Sequence, residues 1–265
     1  MRLTIKLGGS ILEDQEIRRS ILLQVAELFG AGHEIILVHG GGKSLSRRLA
    51  QLGLQSEFIG GLRVTDAPVL VAAVMVLAGE VNKKLVAELD SLGQKAVGIC
   101  GADAAAVRCA PLSDLPGSPK NLGFVGRPLK IERQFFELLL HQGLLPVVSS
   151  LALGPASQIY NVNADQMASI CAWGTACQAL IFLTDVPGVR DHDGTVMPRI
   201  DQNQIQDLRA KGILSGGMVP KTASCLEALE RGVQSVYILP GAAHQVLRNF
   251  VTGGISEGTC IHANH

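Results

Sequence analysis

Neither sign of charge is in surplus: 265 residues carry 23 Lys plus Arg against 23 Asp plus Glu. Nucleic acids and anionic membranes draw on a cationic excess, so this balance points to small molecules or other protein surfaces as partners. Six cysteines, Cys100, Cys109, Cys171, Cys177, Cys225 and Cys260, form no CxxC pair and do not cluster with the seven histidines, which argues against the common zinc spacings. Most sit in apolar surroundings, as inert thiols of a reducing compartment do. No apolar run reaches the roughly 20 residues that span a bilayer, the longest being Ala67 to Gly79. A charged leader followed by a long apolar stretch is missing too, so the expected location is cytoplasmic. Neither GxGxxG nor GxxxxGK followed by Ser or Thr is in place, which argues against an NAD-linked dehydrogenase and against a P-loop enzyme.

What is present is apolar and rich in glycine. With 47% hydrophobic residues and 30 glycines, the chain can build one large α/β domain or two lobes sharing a sheet. Its centre of organisation is Ile35 to Lys43. Ile35, Ile36, Leu37 and Val38 read as a strand buried on both faces, and Gly40, Gly41 and Gly42 free the backbone behind it for close approach to a ligand. The spacing of Leu45, Leu49 and Leu52 predicts a helix over Lys43 to Leu52, which puts the glycine amides at a helix amino terminus, a place for an anion. A turn serving only packing is the alternative. The strand Arg2 to Leu7 runs into Gly8 and Gly9 in the same way, and Ala179 to Thr184 into Asp185 to Gly188.

Between these lie further alternations. Helices are expected over Asp14 to Ala31, Ala67 to Gly79, Glu132 to Gln142, from near Asn163, and over Asp201 to Lys211, Lys221 to Arg231 and Ala243 to Phe250. Strands are expected over Glu34 to Val38, Ala96 to Cys100, Leu145 to Ser149 and Ser235 to Leu239, with a hairpin at Glu57 to Val64 and rim loops and hairpins over 103–127. The implied fold is a three-layer α/β/α sandwich with a mostly parallel central sheet and ligands at the carboxyl ends of its strands. The Ala67 to Gly79 helix is apolar nearly all round, so it is either a central core helix or one whose second face meets another subunit, the latter being the expectation.

Lys6 sits in a strand that should be buried, Lys221 opens a helix after Gly216 and Gly217, and Asp165 offers one carboxylate that could hold both ammonium groups near a polyphosphate. Taken singly, Lys6 fits an outward strand lysine and Asp165 an ordinary helix-start carboxylate. Arg63 presents a fork suited to a carboxylate, against the alternative of a surface arginine. Asn161 carries the donor and acceptor that read an amide. His39 fits a loop-fixing role better than that of a base.

Five segments together, Lys6-Leu7-Gly8-Gly9, Val38-His39-Gly40-Gly41-Gly42, Gly61-Leu62-Arg63-Val64-Thr65-Asp66, Asn161-Val162-Asn163-Ala164-Asp165 and Gly217-Met218-Val219-Pro220-Lys221, resemble the successive signatures of the N-acetylglutamate kinases of the amino acid kinase family. The resemblance runs from residue 2 to about residue 261. It implies ATP-dependent phosphorylation of the side-chain carboxylate of N-acetyl-L-glutamate in arginine biosynthesis, with Mg²⁺ held by phosphates and water and no metal ligand from the protein. Lys6 and Lys221 would stabilise the phosphoryl group with Asp165 orienting them, and Gly9, Gly41 and Gly42 would supply amides. Arg63 and Asn161, with Gly41 and Gly42, would hold the acyl amino acid. Asp185, Val186, Pro187, Gly188, Val189, Arg190, Ile213, Leu214 and Ser215 would line the ATP site. Residues 1–168 would form the lobe for acyl amino acid and dimerisation, and residues 169–265 the ATP lobe.

Family members often have Asn where this chain has Gly60, and glycines where it has Ala102 to Val107, so a longer acyl group stays open. Members that arginine inhibits carry an additional amino-terminal helix, which makes an uninhibited homodimer the expectation here. The alternatives are a kinase for N-succinylglutamate or N-acetyl-2-aminoadipate, and a non-catalytic nucleotide or amino-acid sensor.

Overall fold

The computed structural model describes residues 1–115, 117, 121–253 and 257–263. The chain opens with β1 (Arg2–Leu7), the short α1 (Gly9–Glu13), α2 (Gln15–Gly30) and β2 (Glu34–His39). Asp14 caps α2, its carboxylate accepting from the Glu16 and Ile17 amides at 3.0 Å. The glycines after β2 lead into α3 (Gly42–Gln51), and a small hairpin pairs β3 (Phe58–Ile59) with β4 (Leu62–Arg63).

Asp66 then caps the apolar helix by accepting from the Val69 amide at 2.9 Å. That helix is longer than its apolar run suggested. α4 (Ala67–Ala73) passes into a π-helical segment, Val74–Val81, and on into α5 (Asn82–Ser91), so Gly79 lies inside a helix rather than at its end.

β5 (Ala96–Ile99), β6 (Val107–Pro111), β7 (Val125–Ile131), α6 (Arg133–His141), β8 (Leu145–Ser149), β9 (Leu151–Leu153) and β10 (Ile159–Val162) follow. The stretch read as rim loops and hairpins contains β6 and the start of β7, an antiparallel pair that joins β9 and β10 in a small closed barrel of order β10-β7-β6-β9. In β6, Val107 and Cys109 are buried and Arg108 exposed, an alternation too brief among Ala and Pro to stand out. Residues 116 and 118–120 of that stretch lie outside the described residues. The chain ends with α7 (Ala164–Gly174), β11 (Ala179–Thr184), β12 (Arg199–Asp201), α8 (Gln202–Ala210), α9 (Met218–Glu230), β13 (Ser235–Pro240), α10 (Val246–Val251) and β14 (Thr259–His262).

Eight strands form the central sheet in the order β12-β14-β13-β11-β1-β2-β8-β5, with β13 and β14 as its antiparallel pair. Alternating residues of each inner strand feed two cores. Ile35 and Leu37 of β2 pack with α2, α3, α4 and α5, while Ile36 and Val38 pack with α6, α7 and α9 on the opposite face. These are the three layers expected, and the sheet runs through both 1–168 and 169–265. The boundary between those two parts falls within α7, one continuous helix.

Candidate active site

Strand alternation decides where Lys6 points. Its neighbours Ile5 and Leu7 face the α2 side, so Lys6 faces α7 and α9. At 8% exposure it is a buried lysine, and its Nζ lies 2.8 Å from Asp165 Oδ1. Asp165 stands in the first turn of α7, which Asn163 caps by accepting from the Asp165 and Gln166 amides at 2.8 and 3.3 Å. Lys221, in the first turn of α9, donates to both oxygens of the same carboxylate and rests 4.9 Å from the Phe182 ring centroid. Burial by itself raises a carboxyl pKa, but the two ammonium groups outweigh it and hold Asp165 at about 2. Burial lowers the pKa of Lys6; Lys221 adds to that, while Asp165 and Asp185 oppose it.

A pocket of about 170 Å³ is lined by Gly40, Gly41, Gly42, Arg63 and Asn161, and by Ala164 next to Asp165. Arg63 is buried. It donates to Ser56 Oγ, to the Gly42 carbonyl at 3.1 Å and to Ser46 Oγ at 2.7 Å, and it stacks 4.6 Å from the Phe58 ring centroid. A guanidinium has more N–H donors than these bonds use. Asn161 Nδ2 donates to Thr65 Oγ1 at 3.1 Å, and that hydroxyl donates to the Arg63 carbonyl at 2.9 Å, so Thr65 ties the two pocket residues together. Gly41, at a φ of 150°, has Leu77 so close that a Cβ would stand 2.7 Å from Leu77 Cδ2. Gly9 opens α1 with free space where a Cβ would be.

A second pocket, of about 310 Å³, is lined by Val186, Gly188, Arg190, Ile213, Leu214, Ser215 and Met218. The other three residues read as ATP-binding stand apart from it. Val189 is fully buried in the core, with its amide donating to Thr259 Oγ1 at 2.8 Å. Pro187 is half-buried outside the lining, and Asp185 is exposed beside Thr184, whose hydroxyl donates to it at 3.2 Å. The carboxylates and imidazole of Asp191, His192 and Asp193 lie within 4.8 Å of one another on the following turn.

His39 is fully buried, with Nδ1 2.7 Å from the Gly40 carbonyl and Nε2 3.0 Å from Asn82 Nδ2. Sequence reasoning missed Asn82. Its signal was a carboxamide three residues past a long apolar run, hidden by ending that helix at Gly79.

A model of the amino acid kinase family matches residues 1–240. The chain belongs to the amino acid kinase family. Over 264 residues it is 47% identical to a protein named acetylglutamate kinase from Acidobacterium capsulatum, with 100% of both chains covered. An acetylglutamate kinase of Koribacter versatilis is 42% identical over 261 residues, covering 98% of each. Among solved structures, smu.665 from Streptococcus mutans is similar with a TM-score of 0.83 and 26% identity over 99% of each chain. In this amino acid kinase, then, a paired-lysine carboxylate stands beside the pocket of Arg63 and Asn161, with the pocket of Ile213 and Ser215 in the carboxyl-terminal part.

Proposed function

We propose that this amino acid kinase transfers the γ-phosphoryl group of ATP to the side-chain carboxylate of N-acetyl-L-glutamate, giving N-acetylglutamyl 5-phosphate and ADP. The observation that carries the reading is Asp165 holding Lys6 and Lys221 together beside a pocket that contains Arg63 and Asn161. The names of the relatives support it. A carboxyl group with a pKa of about 4.3 is ionised at neutral pH, so its oxygen attacks the γ-phosphorus with no proton to remove. The bond to the bridging oxygen of ADP breaks as the new O–P bond forms, and the work left to the protein is alignment and charge neutralisation. Lys6 and Lys221 face the transferred group, with the Gly9, Gly41 and Gly42 amides completing the cradle. Arg63 grips the α-carboxylate and Asn161 the acetamido group. ATP occupies the pocket of Val186, Gly188, Arg190, Ile213, Leu214 and Ser215.

The Asp165 carboxylate is committed to two ammonium groups, so in this reading Mg²⁺ is held by the nucleotide phosphates and water, where it neutralises phosphate charge. Residues 1–168 serve the acyl amino acid and residues 169–265 serve ATP. The protein acts in the cytoplasm as a homodimer, joined through the outward face of α4 and the π segment, where Val71 and Met75 are 60% and 61% exposed. Among the described residues no helix is long and apolar enough to cross a membrane. Incubation with ATP, N-acetylglutamate and hydroxylamine tests the activity, because hydroxylamine traps an acyl phosphate as hydroxamate. Formation of hydroxamate only when the acyl amino acid is present is the expected result, and its absence refutes the kinase reading.

A further inference from the structure

We propose that Asn82 and His39 are positioning residues: they hold the Gly40 carbonyl beneath the glycine loop and thereby aim the Gly41 N–H at the phosphoryl group in transfer. The proposal rests on the kinase reading above and adds to it what sets the direction of the loop's amides.

In a trans peptide the C=O of one residue and the N–H of the next point opposite ways, and the peptides described here are trans. A carbonyl can only accept, so the 2.7 Å contact between His39 Nδ1 and the Gly40 oxygen makes Nδ1 the protonated nitrogen. Gly40 O is drawn toward the imidazole, and the Gly41 N–H faces away from it. A flip of this plane would turn a carbonyl, rather than an N–H, toward the anionic phosphoryl oxygens. Glycines resist such a flip poorly, because they sample both signs of φ.

With Nδ1 as donor, the neutral ring has Nε2 as acceptor, and Asn82 Nδ2 fills it at 3.0 Å. The Asn82 amide is itself held. Its Nδ2 also donates to the Val147 carbonyl at 2.9 Å, and its Oδ1 accepts from Lys83 Nζ at 3.2 Å. Three other residues make room for it or brace the loop. A Cβ at Gly98 would stand 1.9 Å from Asn82 Oδ1, and the π segment that ends just before Asn82 sets Leu77 and Val81 against Gly41. Single π turns inside α-helices often mark functional positions. Burial takes the His39 pKa down to about 4, which keeps the ring neutral, as the two contacts require.

Two substitutions separate the halves of the imidazole. The amide nitrogen of an Asn falls near the position of Nδ1, so His39→Asn keeps a donor for the Gly40 carbonyl. The longer His39→Gln reaches toward Asn82 instead and gives up that donor. Hydroxamate kinetics and thermal unfolding are measured for both and for Asn82→Ala. His39→Gln and Asn82→Ala are expected to lower kcat about 10- to 100-fold with both KM values within a factor of about 3. His39→Asn is expected to keep about tenfold more kcat than His39→Gln, whatever the two melting temperatures. Equal loss of kcat in the two His39 variants overturns the proposal, as does wild-type kcat in Asn82→Ala, which decides the matter if the His39 variants do not fold. Hydroxamate formation by the wild-type chain tests the kinase reading separately, so either can fail alone.

Discussion

Lys221 donates to both carboxylate oxygens of Asp165, at 3.1 Å to Oδ1 and 3.0 Å to Oδ2. With Lys6 on Oδ1 as well, this carboxylate is a spacer between two like charges, and the two ammonium groups hold its pKa at about 2, too low for proton abstraction. Asp165→Asn keeps the shape and removes the charge that holds the lysines together. Losing one preorganised charge partner at a developing charge costs about 10²- to 10³-fold in kcat. Asp165→Asn, Lys6→Ala and Lys221→Ala are each expected to fall in that range in hydroxamate turnover at saturating substrate. A variant that retains wild-type kcat loses its assigned role.

Arg63 lines the pocket with Asn161 and takes no part in lining the pocket of Ile213 and Ser215. Arg63→Ala is therefore expected to raise KM for the acyl amino acid far more than KM for ATP. Removing a hydrogen-bonded partner of a charged group costs about 1.5–3 kcal/mol, roughly 10- to 100-fold in KM. Equal changes in the two KM values would refute its assignment to the acyl amino acid.

The parts of this architecture that were legible in the sequence are those set by local rules. β2 betrayed its burial by four apolar residues in a row, and α7 its start by Asn163. Lys6 stood out only because a lysine in a buried strand needs a partner, and Asp165, distant in sequence, supplies it while also holding Lys221. Long-range geometry was not legible. No spacing reveals that β6, β7, β9 and β10 close into a barrel, because their partners are set by tertiary contacts. Val189 looked like its neighbours in the turn after β11, yet it points into the core. The continuation of the helix through Gly79 was hidden because glycine usually weakens a helix, and here packing overrides that preference.

His39 also makes stability depend on pH. Burial is the largest cause of its depressed pKa; the Gly40 carbonyl opposes it and Lys83 adds to it, leaving a folded value of about 4 against the ordinary 6.5. Between those values the unfolded chain binds the proton more strongly, so stability rises with pH through this window and falls as pH drops from 6.5 toward 4. At 1.36 kcal/mol per pKa unit, the loss from this group approaches about 3 kcal/mol at the acid end. Asp165 acts below that window, since its stabilisation is complete above the usual 3.8 and is lost as pH falls through about 2. Urea unfolding at pH 7 and pH 5 is expected to show a smaller stability difference for His39→Asn than for wild type. The same difference in both proteins would contradict the neutral, buried state of His39.

The outward face of the long helix gives the last prediction. Val69, Ala72, Ala73, Val76 and Leu77 are buried against the chain's own core, while Val71 and Met75, one helical turn apart, are 60% and 61% exposed. In a two-fold dimer the same patch faces itself, so a charge placed there meets its own copy across a region that has lost water. Met75→Glu is thus expected to bring two carboxylates together and to sediment as a monomer at concentrations where wild type sediments as a dimer. Because the side chain is exposed within one subunit, the melting temperature of the separated subunit has no core contact to lose. A wild-type protein that sediments as a monomer, or a Met75→Glu variant that stays dimeric, would remove this face as the dimer contact. In either case the inward face of the same helix, where Leu77 closes on Gly41, would keep its place beside the pocket.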